Sequence, residues 1–267
     1  VKSITGVGLP EVVAVYSGVQ GDFMQLLFGQ QLHIGGMKAS LDLAERAGIA
    51  AGTSGVDLCC CNGAGMRVLV RSRNVASMVG VDATEGVVDR GRRLTRDEGL
   101  EARVRFVLAD ACQSNLPSDS ADFVWSEDAW CYVPDKPKLI AEAARIVRPA
   151  GIIAFTDWVE GPAGLTDTEA QRFLAMMTFA NVQNIPGYVQ LLSASGCEVR
   201  VAEDTGRFAP HFELYLNMIE MQLTYDVLRT LAFRVDLMDT LVDGFRFLRE
   251  LARAGKIAQA RFVARRA

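Results

Sequence analysis

The sequence predicts an α/β protein built on a doubly wound, mostly parallel sheet, and three stretches carry that expectation. Ser54 to Leu58 reads as a buried strand that breaks at Cys59-Cys60-Cys61-Asn62-Gly63-Ala64-Gly65 into a turn and then a helix. Small residues there let backbone approach a ligand, and amides at the start of the next helix can face an anionic group. The apolar strand Val75 to Val81 ends on Asp82, 25 residues after Asp57, where the second strand of a βαβ unit presents an acid to a ribose. Val104 to Ala109 forms a third strand, ending on Asp110. Three successive strands thus bring Asp57, Asp82 and Asp110 to the carboxyl edge of the sheet, the side on which open α/β sheets bind ligands.

With 267 residues, half of them hydrophobic, the chain can bury a full core, as one domain with an insertion. The net charge of −4 and the lack of a dense Lys/Arg cluster argue against nucleic acid as a partner. No apolar run approaches the ~20 residues of a membrane helix, and the start lacks a signal-peptide layout, so a cytoplasmic location and no membrane partner are expected. Six cysteines, three of them adjacent on one strand, read as reduced thiols. No metal site is expected, because adjacent strand residues point to opposite faces and no CxxC pair exists.

The remaining elements follow from periodicity and breakers. Pro10 to Tyr16 and Asp22 to Phe28 are short helices, and Lys38 to Ala47 is a longer one. Met66 to Ser72 is the first crossover helix. Thr84 is placed to cap a second helix, which Gly99 stops. A turn around Pro117 leads into the strand Phe123 to Trp125, and Pro137 to Val147 is an amphipathic helix. Ile152 to Phe155 is a strand that ends at Thr156-Asp157-Trp158. Helices are expected over Thr166 to Asn181, Pro186 to Ser195, Phe208 to Leu231 and Val235 to Ala254. Strands are expected over Cys197 to Ala202 and Ala258 to Ala264.

The repeated strand-acid arrangement resembles the class I S-adenosylmethionine-dependent methyltransferases, whose first motif reads roughly DLGCGTG. Here it reads DLCCCNGAG, with Cys59 and Cys61 in place of two glycines, which predicts a displaced cofactor or a different turn. Asp110-Ala111 and Leu116-Pro117 match that family's adenine segment. Ser126-Glu127-Asp128-Ala129-Trp130-Cys131-Tyr132-Val133-Pro134-Asp135-Lys136 is similar to the "SQDAxxHxPDK" segment of sarcosine/dimethylglycine N-methyltransferase-like and natural-product methyltransferases, with Tyr132 in the place of its His. The start of the chain resembles that of the glycine, sarcosine and dimethylglycine N-methyltransferases, with Tyr16, Phe28-Gly29 and Leu32-His33-Ile34-Gly35 in the places of their Tyr, aromatic-Gly and Ile-His-x-Gly segments.

The resemblance implies a Rossmann-like core at 51–205 whose seven-stranded sheet is completed by the last strand, with an N-terminal helical segment at 1–50 over the cofactor site. It also implies a helical substrate cap at 206–255 and a final strand at 256–267. The cofactor implied is S-adenosyl-L-methionine, bound by Tyr16, His33, Asp57, Cys59, Cys61, Gly63, Asp82, Ala83, Asp110, Ala111 and Glu127. Asp157, Tyr132, Glu127 and His211 are the candidate catalytic groups. The candidate acceptor contacts are Trp130, Trp158, Tyr188, His211 and Tyr215, under a chamber roofed by the C-terminal helices. Structural roles stay open beside these: Tyr16 as a core aromatic, His33 as a loop residue bonded to backbone, Asp157 as a cap of the next loop, His211 near a helix start and Tyr215 half buried.

A phenol titrating near 10 is a poor base, so Tyr132 is expected to orient rather than deprotonate. The expected reaction is direct in-line transfer of a methyl group to a small-molecule acceptor, with an amine first and a natural-product carbon or oxygen second. A nicotinamide oxidoreductase on the same sheet would carry GxGxxG after the first strand, which is absent. An inactive cofactor-binding relative is the third reading, and a homodimer is left open.

Overall fold

The computed structural model describes residues 1–267. Its core strands are β2 (Ser54–Leu58), β3 (Ser77–Asp82), β4 (Val104–Leu108), β5 (Ala121–Glu127), β6 (Val147–Glu160), β8 (Cys197–Asp204) and β9 (Ile257–Arg266). They line up as β4-β3-β2-β5-β6-β9-β8. The first five run parallel, and β9 is antiparallel to both β6 and β8. Two short strands escape the sequence reading: β1 (Lys2–Ser3) pairs antiparallel with β7 (Asn181–Asn184), which pairs parallel with the last two residues of β6. Each is too short, and too poor in apolar residues, to show a period of two.

The helices are α1 (Leu9–Tyr16), α2 (Val19–Phe28), α3 (Gly36–Arg46), α4 (Ala64–Ser72), α5 (Glu85–Asp97), α6 (Lys136–Ile146), α7 (Asp167–Met177) and α8 (Ile185–Ala194), followed by α9 (Phe208–Asn217), α10 (Thr224–Thr230) and α11 (Val235–Arg253). Several starts are encoded locally. Asp135 accepts from the Lys138 amide with Pro137 in the first turn, and Asn184 accepts from the Gly187 amide ahead of Pro186. Thr166 and Glu169 form a reciprocal capping box for α7. Thr84 stands at the N-cap of α5 but makes no side-chain cap bond; its amide instead donates to Asp82.

Two expected helices are corrected. The helix expected over Thr166 to Asn181 ends at Met177, because Thr178 turns left-handed (φ 57°) and Phe179 swings into the core. The one expected over Phe208 to Leu231 breaks after Asn217 into a π-turn at Met218–Gln222 before α10. Apolar residues continue at helical spacing through both breaks, so periodicity alone did not mark them.

Strand alternation builds two of the three cores. Phe123 and Trp125 face Leu43, Met66 and Leu69 on one side of the sheet. Val124 and Phe155 face Leu139, Ile140 and Tyr188 on the other, as a sheet covered on both faces requires. The third core lies away from the sheet centre, where α2, α7, α9 and α11 pack Phe23, Phe173, Phe208, Phe212, Tyr215 and Leu248 together with Trp158. α9 to α11 lie between β8 and β9 in the chain, and this third core fills the space beneath them. Of the acceptor contacts expected under these helices, Trp158 and Tyr215 are part of this core.

Candidate active site

A cleft of about 340 Å³ opens at the carboxyl ends of β2 to β5, within the ~300–1,000 Å³ of small-ligand sites. It holds Asp57, Asp82 and Asp110 together, as well as Ala83, Ala111, Cys59, Cys61 and Glu127. Tyr16 and His33 line it from the N-terminal segment, with Leu9, Val12 and Gln30 beside them. No residue of 206–255 lines the cleft, so its roof comes from the first 33 residues and not from the C-terminal helices.

The loop after β2 is pinned from below. Asp82 Oδ2 accepts from the Cys61 amide at 2.9 Å and Oδ1 from the Thr84 amide at 2.9 Å, tying the loop to the start of α5. Asn62 donates to the Gln30 carbonyl at 3.0 Å and accepts from the Ala64 amide, which joins loop and roof. Cys59 and Cys61 both stand in the left-handed region, φ 67° and 47°. The turn therefore keeps a glycine-like path with side chains added, at a conformational cost that glycine would not carry. The variant Cys59→Gly is expected to fold with an unchanged melting temperature within a few degrees and to keep cofactor affinity within about threefold. Calorimetry checks this, and loss of the fold would show that the thiol's packing holds the turn. Gly63 is corrected: it does not line the cleft but caps α4 at φ 74°, where a Cβ would sit 2.5 Å from Phe106.

The lining is acidic. Burial pushes the Asp57 carboxyl well above its usual range, and the neighbouring Glu127 and Asp82 charges add to this. Burial also raises Asp82, against the amides of Thr84 and Cys61 that favour its charge. A cationic ligand relieves this crowding. Burial raises the thiols of Cys59, Cys60, Cys61 and Cys112 too, so they face the cleft neutral.

At the other end, Glu127 Oε1 lies 3.4 Å from His33 Nε2, and His33 Nε2 is also 3.2 Å from Ser40 Oγ. Asp128, left-handed at φ 51° and 5% exposed, was not singled out over Glu127 by sequence; both line the cleft. Its Oδ2 accepts from the Ile34 amide at 2.9 Å and from Gln259 Nε2 at 2.7 Å, while Oδ1 is buried with no partner. His33 Nδ1 is likewise buried and unpartnered. Tyr132 lines the cleft edge-on to Tyr16, ring centroids 5.4 Å apart, and burial pushes its phenol far above the usual range, which fits orientation and not proton removal.

The other candidates lie elsewhere. Asp157 is corrected: β6 runs on to Glu160, so Asp157 sits inside the strand and not at its edge, fully buried. Its carboxylate accepts from the Cys131 amide at 2.9 Å and from the Tyr188 hydroxyl. That bond and full burial also take Tyr188 out of the acceptor site. Trp130 stacks on Phe155 at 4.0 Å, and Trp158 packs among Phe173, Phe208 and Phe212. Tyr215 meets Phe28 edge-on, and His211 Nδ1 is 2.8 Å from the Arg207 carbonyl, one turn back in its own helix. None of these six lines the cleft.

Burial raises the Asp157 carboxyl from the ordinary 3.8 to about 6, against the Lys136 charge and the Tyr188 and Cys131 hydrogen bonds. The folded value lies above the unfolded one, so the native state holds the extra proton and stability falls as pH rises from 3.8 to about 6. In Asp157→Asn that part of the pH dependence is expected to vanish, read as melting temperature against pH. An unchanged slope would contradict the assignment.

Comparison with known proteins agrees with this geometry. Residues 56–155 match the family described as Methyltransferase domain. The 27-O-demethylrifamycin SV methyltransferase of Amycolatopsis mediterranei (strain S699) is 30% identical over 202 residues, 70% of this chain and 74% of that protein. The chain belongs to the methyltransferase family. The dimethylglycine N-methyltransferase of Parasynechococcus marenigrum (strain WH8102) is 38% identical over 120 residues, 45% of this chain. The chain spans less than two thirds of several of its curated relatives, 41% of that one. Among solved structures, the Haemonchus contortus phosphoethanolamine N-methyltransferase 2, in complex with S-adenosyl-L-methionine, superposes with a TM-score of 0.82 at 21% identity, covering 96% of this methyltransferase and 59% of that chain. At that identity the match speaks for the fold. No helix of the protein is long and apolar enough to cross a membrane.

Proposed function

We propose that this methyltransferase uses S-adenosyl-L-methionine to methylate a small acceptor that offers an N–H or O–H to Asp128. The observation that carries the reading is one cleft with two unlike ends: backbone-pinned acids at the β2 to β4 edge, and an unpartnered buried carboxylate oxygen at the end of β5. The residues fit the donor. Asp82 and Asp110 sit where ribose hydroxyls and an exocyclic amine would be bound, since a carboxylate accepts from both. Gly65 leaves a cradle that a Cβ would close, at 2.6 Å from Glu127 Oε2.

The bound donor supplies an electrophilic methyl on a cationic sulfur. The chain's part is placement: Asp57, Asp82 and Glu127 surround a positive charge with carboxylates, and the N-terminal segment excludes water. Asp128 Oδ1 aligns the acceptor through its hydrogen, and His33 beside Glu127 offers a group that can accept the released proton. A primary or secondary amine, which keeps an N–H in its unprotonated form, is the first acceptor class; the likeness to a dimethylglycine N-methyltransferase supports an amine but not its degree of substitution. A hydroxyl of a larger natural product is the second, supported by the longer match to the rifamycin enzyme.

Calorimetric titration with S-adenosylmethionine and S-adenosylhomocysteine, then turnover with ethanolamine, sarcosine and a simple phenol, tests the reading. Micromolar binding of the donor with methyl transfer to one of these probes is expected. Absence of donor binding, or preference for a nicotinamide nucleotide, would contradict it.

A further inference from the structure

We propose that Gln259, on the last strand, is the positioning residue of the acceptor site, tying Asp128 to the N-terminal roof and to the start of the 206–255 segment. This rests on the reading that Asp128 faces the acceptor. Gln259 is fully buried and uses both ends of its amide. Its Nε2 donates to Asp128 Oδ2 at 2.7 Å and to the Ile34 carbonyl at 3.1 Å. Its Oε1 accepts from Thr205 Oγ1 at 2.8 Å and from Arg207 Nη1 at 3.4 Å. The two sets of partners fix which way the amide points: two acceptors lie on one side and two donors on the other.

The connections run on in both directions. Ile34 is held twice, its amide by Asp128 and its carbonyl by Gln259, and it directly follows His33 in the roof. Arg207 Nη2 donates to Asp42 Oδ2 on α3 at 2.5 Å, and Arg261 on β9 donates to the same oxygen. One amide therefore joins the acid after β5, the roof at residue 34 and the entry to α9. With Oδ2 occupied by Ile34 and Gln259, Oδ1 is the oxygen left for a ligand.

Glutamate at 259 would set an acceptor against Asp128 and the Ile34 carbonyl, and leucine would match the volume without any of the bonds. The test uses Gln259→Leu in the full chain, with Thr205→Val as a milder variant that removes the hydroxyl that orients Oε1 and also accepts from the Arg207 amide at 3.3 Å. Two readouts separate positioning from packing. The first needs no acceptor: amide hydrogen exchange of residues 31–36 in the S-adenosylhomocysteine complex is expected to speed about tenfold in Gln259→Leu and roughly threefold in Thr205→Val. The second is kinetic, with the best of the three probe acceptors: acceptor KM rises about tenfold while KM for S-adenosylmethionine stays within about twofold.

A folded Gln259→Leu with unchanged exchange overturns the proposal, and so does accelerated exchange with an unchanged acceptor KM. If Gln259→Leu does not fold, Thr205→Val decides on the same criteria. If the wild type transfers methyl to none of the probes, the acceptor reading fails by itself. The exchange measurement then still decides whether Gln259 holds the roof.

Discussion

Asp82→Ala is expected to weaken binding of S-adenosylhomocysteine about a hundredfold while leaving the protein folded. The carboxylate accepts from the Cys61 and Thr84 amides, which ties the loop after β2 to the start of α5. Hydrogen bonds to a charged group contribute ~1.5–3 kcal/mol each, so removing it both loosens the loop after β2 and deletes the acceptor for the ribose hydroxyls. A hundredfold corresponds to ~2.7 kcal/mol, within what one lost charged contact plus a disordered loop supplies. Isothermal titration gives the affinity and a melting curve confirms the fold. Wild-type affinity in this variant would contradict the role given to Asp82.

The second large effect is at Asp128. Asp128→Asn is expected to lower kcat/KM for the acceptor by at least about a hundredfold while donor affinity changes by less than about threefold. Asparagine tolerates the left-handed backbone that this position requires. Its amide oxygen can take the Ile34 and Gln259 hydrogen bonds, so the fold survives. The NH₂ group is then turned into the cleft, and a hydrogen-bond acceptor becomes a donor where the methyl acceptor must present its own hydrogen. A site built to pair with a substrate N–H or O–H loses far more from this reversal than from a lost apolar contact. Steady-state kinetics with donor and acceptor varied separately checks it. A fall in donor affinity equal to the fall in kcat/KM would place Asp128 at the cofactor instead.

The donor end of the site was legible in the sequence because each of its acids ends a short apolar run. Val75 to Val81 and Val104 to Ala109 announce strands, and Asp82 and Asp110 stand at their carboxyl ends. A parallel sheet carries that edge to one place, so position along the chain translated directly into position in space. The N-terminal roof was legible from the match of Tyr16 and His33 to related enzymes.

Asp157 carries no such local signal. The apolar run ends at Phe155, yet β6 continues to Glu160 because β9 pairs with it as far as Ile257. An acid that looked like an edge residue is therefore inside the sheet layer, bonded to Tyr188. Tertiary pairing set the strand length, and no local signal records it. The helices at 206–255 misled for a related reason. Their apolar faces suit a substrate wall and a packed core equally, and only the positions of Phe23, Phe173 and Trp158 decide that they form a core. Asp128 and Gln259 are 131 residues apart and meet only because β9 lies beside β6.

The crystal structure of the S-adenosylhomocysteine complex tests the central claim most directly. Ribose hydroxyls are expected on Asp82, the adenine beside Asp110 and Ala111, and the sulfur facing the end of the cleft that holds Tyr132 and Asp128. A ligand bound outside this cleft, or with its sulfur turned away from Asp128, would contradict it.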